Sequence, residues 1–125
     1  MSVRTIVEDE NLVVFQASGR ITAEEAIVAI TNHFASTRSK FALWDLTRAS
    51  LSAVNHDEFQ SVAVAGASFG EVRGAGAKTA IVARTELNAL LLKAIAARFE
   101  AAGSSFELRV FGDLKAARAW LRASN

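Results

Sequence analysis

Three polar signals cut this chain into segments that cannot all be strand and cannot all be helix. Thr22-Ala-Glu-Glu25, Asn55-His-Asp-Glu58 and Asp113 each stand directly before a run whose apolar residues recur every three or four positions. In the first two, the leading side chain can accept the amide proton three residues on while the glutamate reaches back, the capping-box arrangement that starts a helix. The intervening segments are short and apolar or strictly alternating, the pattern of strands. A chain built this way must alternate the two kinds of element.

Residues 3–8 (Val-Arg-Thr-Ile-Val-Glu) alternate as a strand, Asp9-Glu10-Asn11 makes a turn, and Leu12 to Ala17 returns as the second arm of a hairpin that Gly19-Arg20 ends. Behind Thr22, a helix carries Ala23, Ala26, Ile27, Ile30 and Phe34 on one stripe, with His33 at its edge. Phe41 to Leu46 reads as a buried central strand. Behind Asn55, a helix aligns Phe59, Val62, Ala63, Gly66 and Phe69. Gly70 to Gly76 reads as a flexible loop and Ala77 to Ala83 as another central strand. Glu86 to Ala102 is the longest helix, with Gly103 as its stop. Phe106 to Phe111 alternates as a strand with one wetter face, and Asp113 caps a last helix that turns Leu114, Ala117 and Leu121 inward. The order β-β-α-β-α-β-α-β-α predicts a single α/β domain over residues 1–125. Its sheet is mixed, antiparallel in the opening hairpin and parallel in the second half, with helices on its faces.

Composition removes several kinds of function. The 125 residues contain no cysteine and two histidines, so a disulfide framework, a thiolate metal site and a cysteine nucleophile are excluded. The 14 basic and 13 acidic residues nearly cancel, a poor basis for general nucleic-acid binding, which rests on phosphate neutralisation. No apolar run approaches the ~20 residues of a membrane span, and the start of the chain lacks a secretory stretch, so a cytoplasmic protein is expected. Proline is absent and no linker or repeat interrupts the sequence.

Two constellations superficially suggest chemistry. Gly74-Ala-Gly-Ala-Lys78-Thr79 resembles a phosphate loop, but it feeds a strand where a phosphate loop must open a helix, and Thr79 stands where a dinucleotide fingerprint needs its third glycine. No cofactor is implied. Asp45 ends a central strand, the usual ligand end of open α/β sheets, and Arg48, Ser50, Ser52, His56 and Asp57 follow closely. A Ser–His–Asp set can be assembled from them, but it lacks the Gly-x-Ser-x-Gly elbow and an oxyanion device. Asp45, Arg48, Ser50, Ser52 and His56 remain a candidate ligand or switch region, and Asp45 is expected to cap the following turn or pair with Arg48. His33, as a lone partly buried histidine, is expected to be satisfied by a backbone carbonyl, since no spaced set of further ligands accompanies it.

The 86–101 helix is too apolar for one buried stripe. On a helical wheel Leu87, Leu90, Leu91, Leu92, Ala94, Ile95 and Phe99 span about 200°, against the ~100° that a surface helix needs. Arg98 falls within this arc; Ala89, Ala96 and Ala97 fall opposite it. Leu87, Leu91, Leu92, Ile95, Arg98 and Phe99, with Phe111 as an adjoining residue, are therefore a candidate interface, a pocket wall, or core shared with a neighbouring helix.

The strand ending in Asp45-Leu46, the strand Lys78-Thr-Ala-Ile-Val-Ala83 and the close Val110-Phe-Gly-Asp-Leu-Lys-Ala-Ala-Arg-Ala-Trp-Leu121 together resemble the small bacterial SpoIIAA-like (STAS-like) proteins over nearly the whole chain. That resemblance implies the fold shared by anti-sigma-factor antagonists and the lipid-binding CRAL-TRIO (SEC14) domains. Regulatory members carry a phosphorylatable serine at the start of the helix after the central strand. The matching positions here, Ala53-Val-Asn-His56, hold no hydroxyl, and the nearest serines are Ser50 and Ser52. The expectation is a non-enzymatic, homodimeric interaction or regulatory module with an unidentified protein partner. The alternatives are a binder of a small apolar or lipid-like molecule, and an enzyme built around Asp45 and His56.

Overall fold

The computed structural model describes residues 3–101 and 106–123, and within them all side chains but those of residues 56, 95 and 98–101. The elements run β1 (Val3–Val7), β2 (Leu12–Arg20), α1 (Ala23–Phe34), β3 (Phe41–Ser50), α2 (His56–Ala67), α3 (Gly70–Arg73), β4 (Lys78–Val82), α4 (Glu86–Ala101), β5 (Glu107–Phe111) and α5 (Leu114–Arg122). The five strands form one sheet in the order β1-β2-β3-β4-β5, with β1 antiparallel to β2 and every other pair parallel.

Because each parallel strand is added on the same side of the last, right-handed crossovers place α1, α2 and α4 on one face of the sheet. Their inward residues Ile30, Phe34, Phe59 and Leu92 join Phe15, Trp44 and Leu46 in the larger core. Phe15 stacks on Trp44 with ring centroids 4.5 Å apart and meets the His33 and Phe34 rings at 5.8 and 6.1 Å. Only α5 covers the opposite face, where Ala117 and Leu121 close over Val14, Leu43, Ala80 and Val82. Arg118 of α5 forms a bidentate pair with Glu8, both bonds 2.8 Å, which fastens the helix to the end of the hairpin. None of the described helices is long and apolar enough to cross a membrane.

The capping boxes form as the sequence predicts: Thr22 with Glu25 and Asn55 with Glu58 exchange both bonds, and Asp113 caps α5. Two elements differ from the sequence reading. β3 runs on to Ser50, because β2 itself extends to Arg20 and keeps pairing with it beyond a register shift between Gln16 and Ser18. The shift lets Leu46, Ala49 and Leu51 all turn into the core, and this broken alternation conceals the strand's second half. The segment 70–76 is not all loop, since Gly70–Arg73 makes one turn of helix. The chain then turns at Gly74 and Gly76, whose φ of 91° and 80° suits glycine. The predicted stop at Gly103 lies outside the described residues.

Candidate functional site

Midway along β3, opposite Val82 at the end of β4, Asp45 is 7% exposed and shares with Leu43 the sheet face that α5 covers. Its Oδ1 accepts from the Thr47 amide at 3.0 Å and from the Thr47 hydroxyl at 2.6 Å, so the carboxylate closes a local turn, one of the two roles expected for it. Arg48 is exposed and makes no described bond to Asp45. The nearby cation is instead Arg118, held above its ordinary pKa first by its hydrogen bonds to Glu8 and less by the Asp45 charge. Ser50 ends β3 five residues further on, its hydroxyl 3.0 Å from that of Ser52. His56 opens α2, and its side chain lies outside the described atoms. The structure thus joins Ser50 to Ser52 and Asp45 to Thr47, but draws Asp45 into no relay with a serine. Among the described residues no group of three or more acids and histidines is placed to hold a metal.

α4 is the least expected part of the surface. Among its described side chains Ala89 and Ala96 are half-buried, and Leu92 is the large one that reaches the core. Leu87, Leu90 and Leu91 point outward, 76%, 65% and 38% exposed. Of the described residues of the apolar arc, Leu92 therefore packs inward while Leu87, Leu90 and Leu91 face solvent, and Ala94 and Ala97 are exposed as well. Side-chain burial at Ile95, Arg98 and Phe99 is not described. Phe111 does not extend this surface. It lies across the sheet, its ring 5.6 Å from that of Trp120 in the α5 cluster.

Where α2 and α4 present small residues to the sheet, the packing leaves space. Two apolar cavities of about 100 and 90 Å³ adjoin there, sharing Trp44, Phe59, Val62, Ile81 and Leu92 as walls. The larger is bounded at one end by Arg73, which is 6% exposed. Arg73 donates from Nε to Ser39 O (3.1 Å), from Nη1 to Thr79 Oγ1 (2.7 Å), and from Nη2 to Lys40 O and Lys78 O (2.9 and 2.8 Å). The Phe34 and Phe106 rings stack on its guanidinium at 5.1 and 4.8 Å. No acid among the described residues pairs with it, and burial lowers its pKa to about 10, so it remains a cation at neutral pH. Sequence reasoning passed over Arg73 because it sits between Phe69-Gly70 and Gly74 in a stretch with loop character. Only the tertiary fold brings the carbonyls of Ser39 and Lys40 to it.

His33 is buried, and its Nε2 lies 2.9 Å from the Ser39 hydroxyl, so a side chain and not the expected backbone carbonyl satisfies it. Burial, and then the Arg73 cation, hold its pKa below the usual histidine value. The folded protein therefore binds this proton less readily than the unfolded chain. The His33 contribution to stability is present above the unfolded value of ~6.5 and is lost as pH falls through the lower folded value. Urea unfolding at about pH 7 and about pH 5 should show a larger stability loss for the wild type than for His33→Gln. Equal losses would remove His33 from the account.

No protein-family model and no curated protein sequence matches the chain. Solved structures do. The unphosphorylated form of the anti-sigma factor antagonist SpoIIAA matches with a TM-score of 0.59 at 10% identity, covering 96% of this chain and 97% of its own. An uncharacterised DUF3478-family protein with a SpoIIAA-like fold, from Shewanella loihica PV-4, matches with a TM-score of 0.50 at 19% identity, covering 95% and 91%. This chain has the SpoIIAA-like fold. Within that fold, Ala53–His56 leads into α2, with the side chain of Asn55 spent on the helix cap. Leu87, Leu90 and Leu91 lie outside the core of the same scaffold, on the helix between β4 and β5.

Proposed function

We propose that this chain is a non-enzymatic regulatory or protein-interaction module that works as a homodimer joined through the outer face of α4. The observation that carries this reading is the outward placement of Leu87, Leu90 and Leu91 on a helix where Ala89 and Ala96 are half-buried. Fully burying one leucine contributes about 1.5–3 kcal/mol, and three from each copy can exceed the several kcal/mol that association costs. The charges favour a second copy as the occupant. Glu86 and Lys93 are both exposed and two turns apart, so an antiparallel two-fold packing centred near Leu90 sets Glu86 of one copy beside Lys93 of the other. An anti-sigma factor antagonist is, by that name, directed at another protein, which agrees with a role in protein contact. Engagement of Asp45 by Thr47 favours a structural part for that carboxylate, and the lack of a hydroxyl over residues 53–56 favours a module without a phosphoserine switch.

Light scattering at micromolar concentration should return twice the 13.4 kDa chain mass, with no phosphate adduct on the intact chain. The double substitution Leu87→Glu and Leu91→Glu should return the monomer with an unchanged circular dichroism spectrum, because these side chains contribute little to the core. A 13.4 kDa species throughout that range, or a dimer indifferent to both substitutions, overturns the reading.

A further inference from the structure

We propose that the cavity between the β3–β4 face and α2–α4 binds a small carboxylate with an unbranched hydrocarbon tail, its tail against Trp44, Phe59, Ile81 and Leu92 and its carboxylate at Arg73.

Size sets the ligand's body. A dry apolar cavity on the order of 150 Å³ accommodates benzene, so spaces of about 100 and 90 Å³ that share five walls suit a hydrocarbon portion of about six to eight carbons. The room is built in by sequence. Ala63 and Gly66 on α2 line the space, and no heavy atom lies within 4 Å of where a Gly66 Cβ would stand. A purely structural core would fill that position, since glycine within a helix is itself unfavourable.

Charge sets the ligand's head. The larger space is apolar apart from Arg73 and Thr79 at one end, and the smaller apart from Thr22. Four of the five guanidinium N–H groups are bonded to three carbonyls and the Thr79 hydroxyl, which leaves one on Nη1. Those partners are neutral, and with no anion on it among the described residues the buried cation carries a desolvation cost that carbonyls and ring faces offset only in part. A carboxylate supplies the missing charge and accepts the remaining N–H in a charge-assisted bond. An amine of the same length meets a like charge, and an alcohol gains one neutral bond only. This inference concerns the interior and does not depend on the α4 outer face.

Octanoate, octanol and octylamine are suitable probes of one length and three head groups, with binding measured by calorimetry and thermal shift on the full chain at neutral pH. Octanoate should bind at least about tenfold more tightly than octanol, the gain of one charge-assisted bond, and octylamine should give no shift. Gly66→Leu, which projects into the cavity, should keep the thermal midpoint of the free protein at or above that of wild type and weaken octanoate binding at least about tenfold. Ala63→Leu serves as a second occluding variant should Gly66→Leu fail to fold. No binding of octanoate, equal affinity for octanoate and octanol, or unchanged affinity in a folded occluding variant each overturns the assignment.

Discussion

Arg73→Met should lower the free energy of unfolding by about 3–5 kcal/mol, set mainly by the two fully buried acceptors that lose a charged donor at about 1.5–3 kcal/mol each. The substitution takes the Arg73 donor from the carbonyls of Ser39, Lys40 and Lys78 and from the hydroxyl of Thr79, with Lys40 O keeping its bond from the Lys78 amide. A buried acceptor stripped of its partner costs about 1–3 kcal/mol, less where water enters. Two of the four bonds lie in partly buried surroundings, where water can replace the lost donor, and removing the cation also relieves its desolvation. The upper end of a simple sum is therefore not reached. Arg73 further holds α3, a single turn without a side-chain cap, against the amino ends of β3 and β4. Arg73→Lys should recover only a minor part of the loss, because one ammonium cannot span acceptors arranged for a planar fork. Urea unfolding of both variants checks the expectation. A loss below about 1 kcal/mol for Arg73→Met would mean that solvent already serves these acceptors.

What could be read from the sequence follows from the range over which each interaction acts. Caps and periodicity are local, so Thr22, Asn55 and Asp113 mark their helices correctly, and the alternation of elements predicts the mixed sheet. The second half of β3 was hidden because its identity as strand comes from pairing with Ser18–Arg20 across a bulge, a partner that no local pattern names. The orientation of α4 stays open in the sequence for a related reason. A helical wheel shows which residues share a face but not which face meets the sheet, and here the approach of α2 and α4 selects Ala89 and Leu92 for the inside. Of the candidate switch region, the Asp45 turn was legible because Thr47 lies two residues away. Arg73 was not, since two of its three carbonyl partners, Ser39 and Lys40, lie more than thirty positions back in the chain.

Phe15→Ala should cost about 3–5 kcal/mol, the usual loss for deleting a buried phenyl group whose surroundings cannot collapse. Phe15 is fully buried on β2, a strand paired on both sides, so the backbone has little freedom to close the void. The loss includes the ring contacts to Trp44, His33 and Phe34, which add to the area term. Phe15→Leu should cost appreciably less, because it keeps most of the volume. The position of Trp44 distinguishes this site from an equally buried one. Trp44 stacks on Phe15 on one side and walls both cavities on the other, so Phe15→Ala also loosens the indole. Leu43→Ala, on the α5 face of the same sheet, should lose about 2–5 kcal/mol and leave Trp44 in place. In a Trp120→Phe background Trp44 is the sole tryptophan, and its emission should move to longer wavelength in Phe15→Ala but not in Leu43→Ala. Equal spectra for the two would show that the stack does not position the indole, and the cavity walls would then have to be held by α2 and α4 alone.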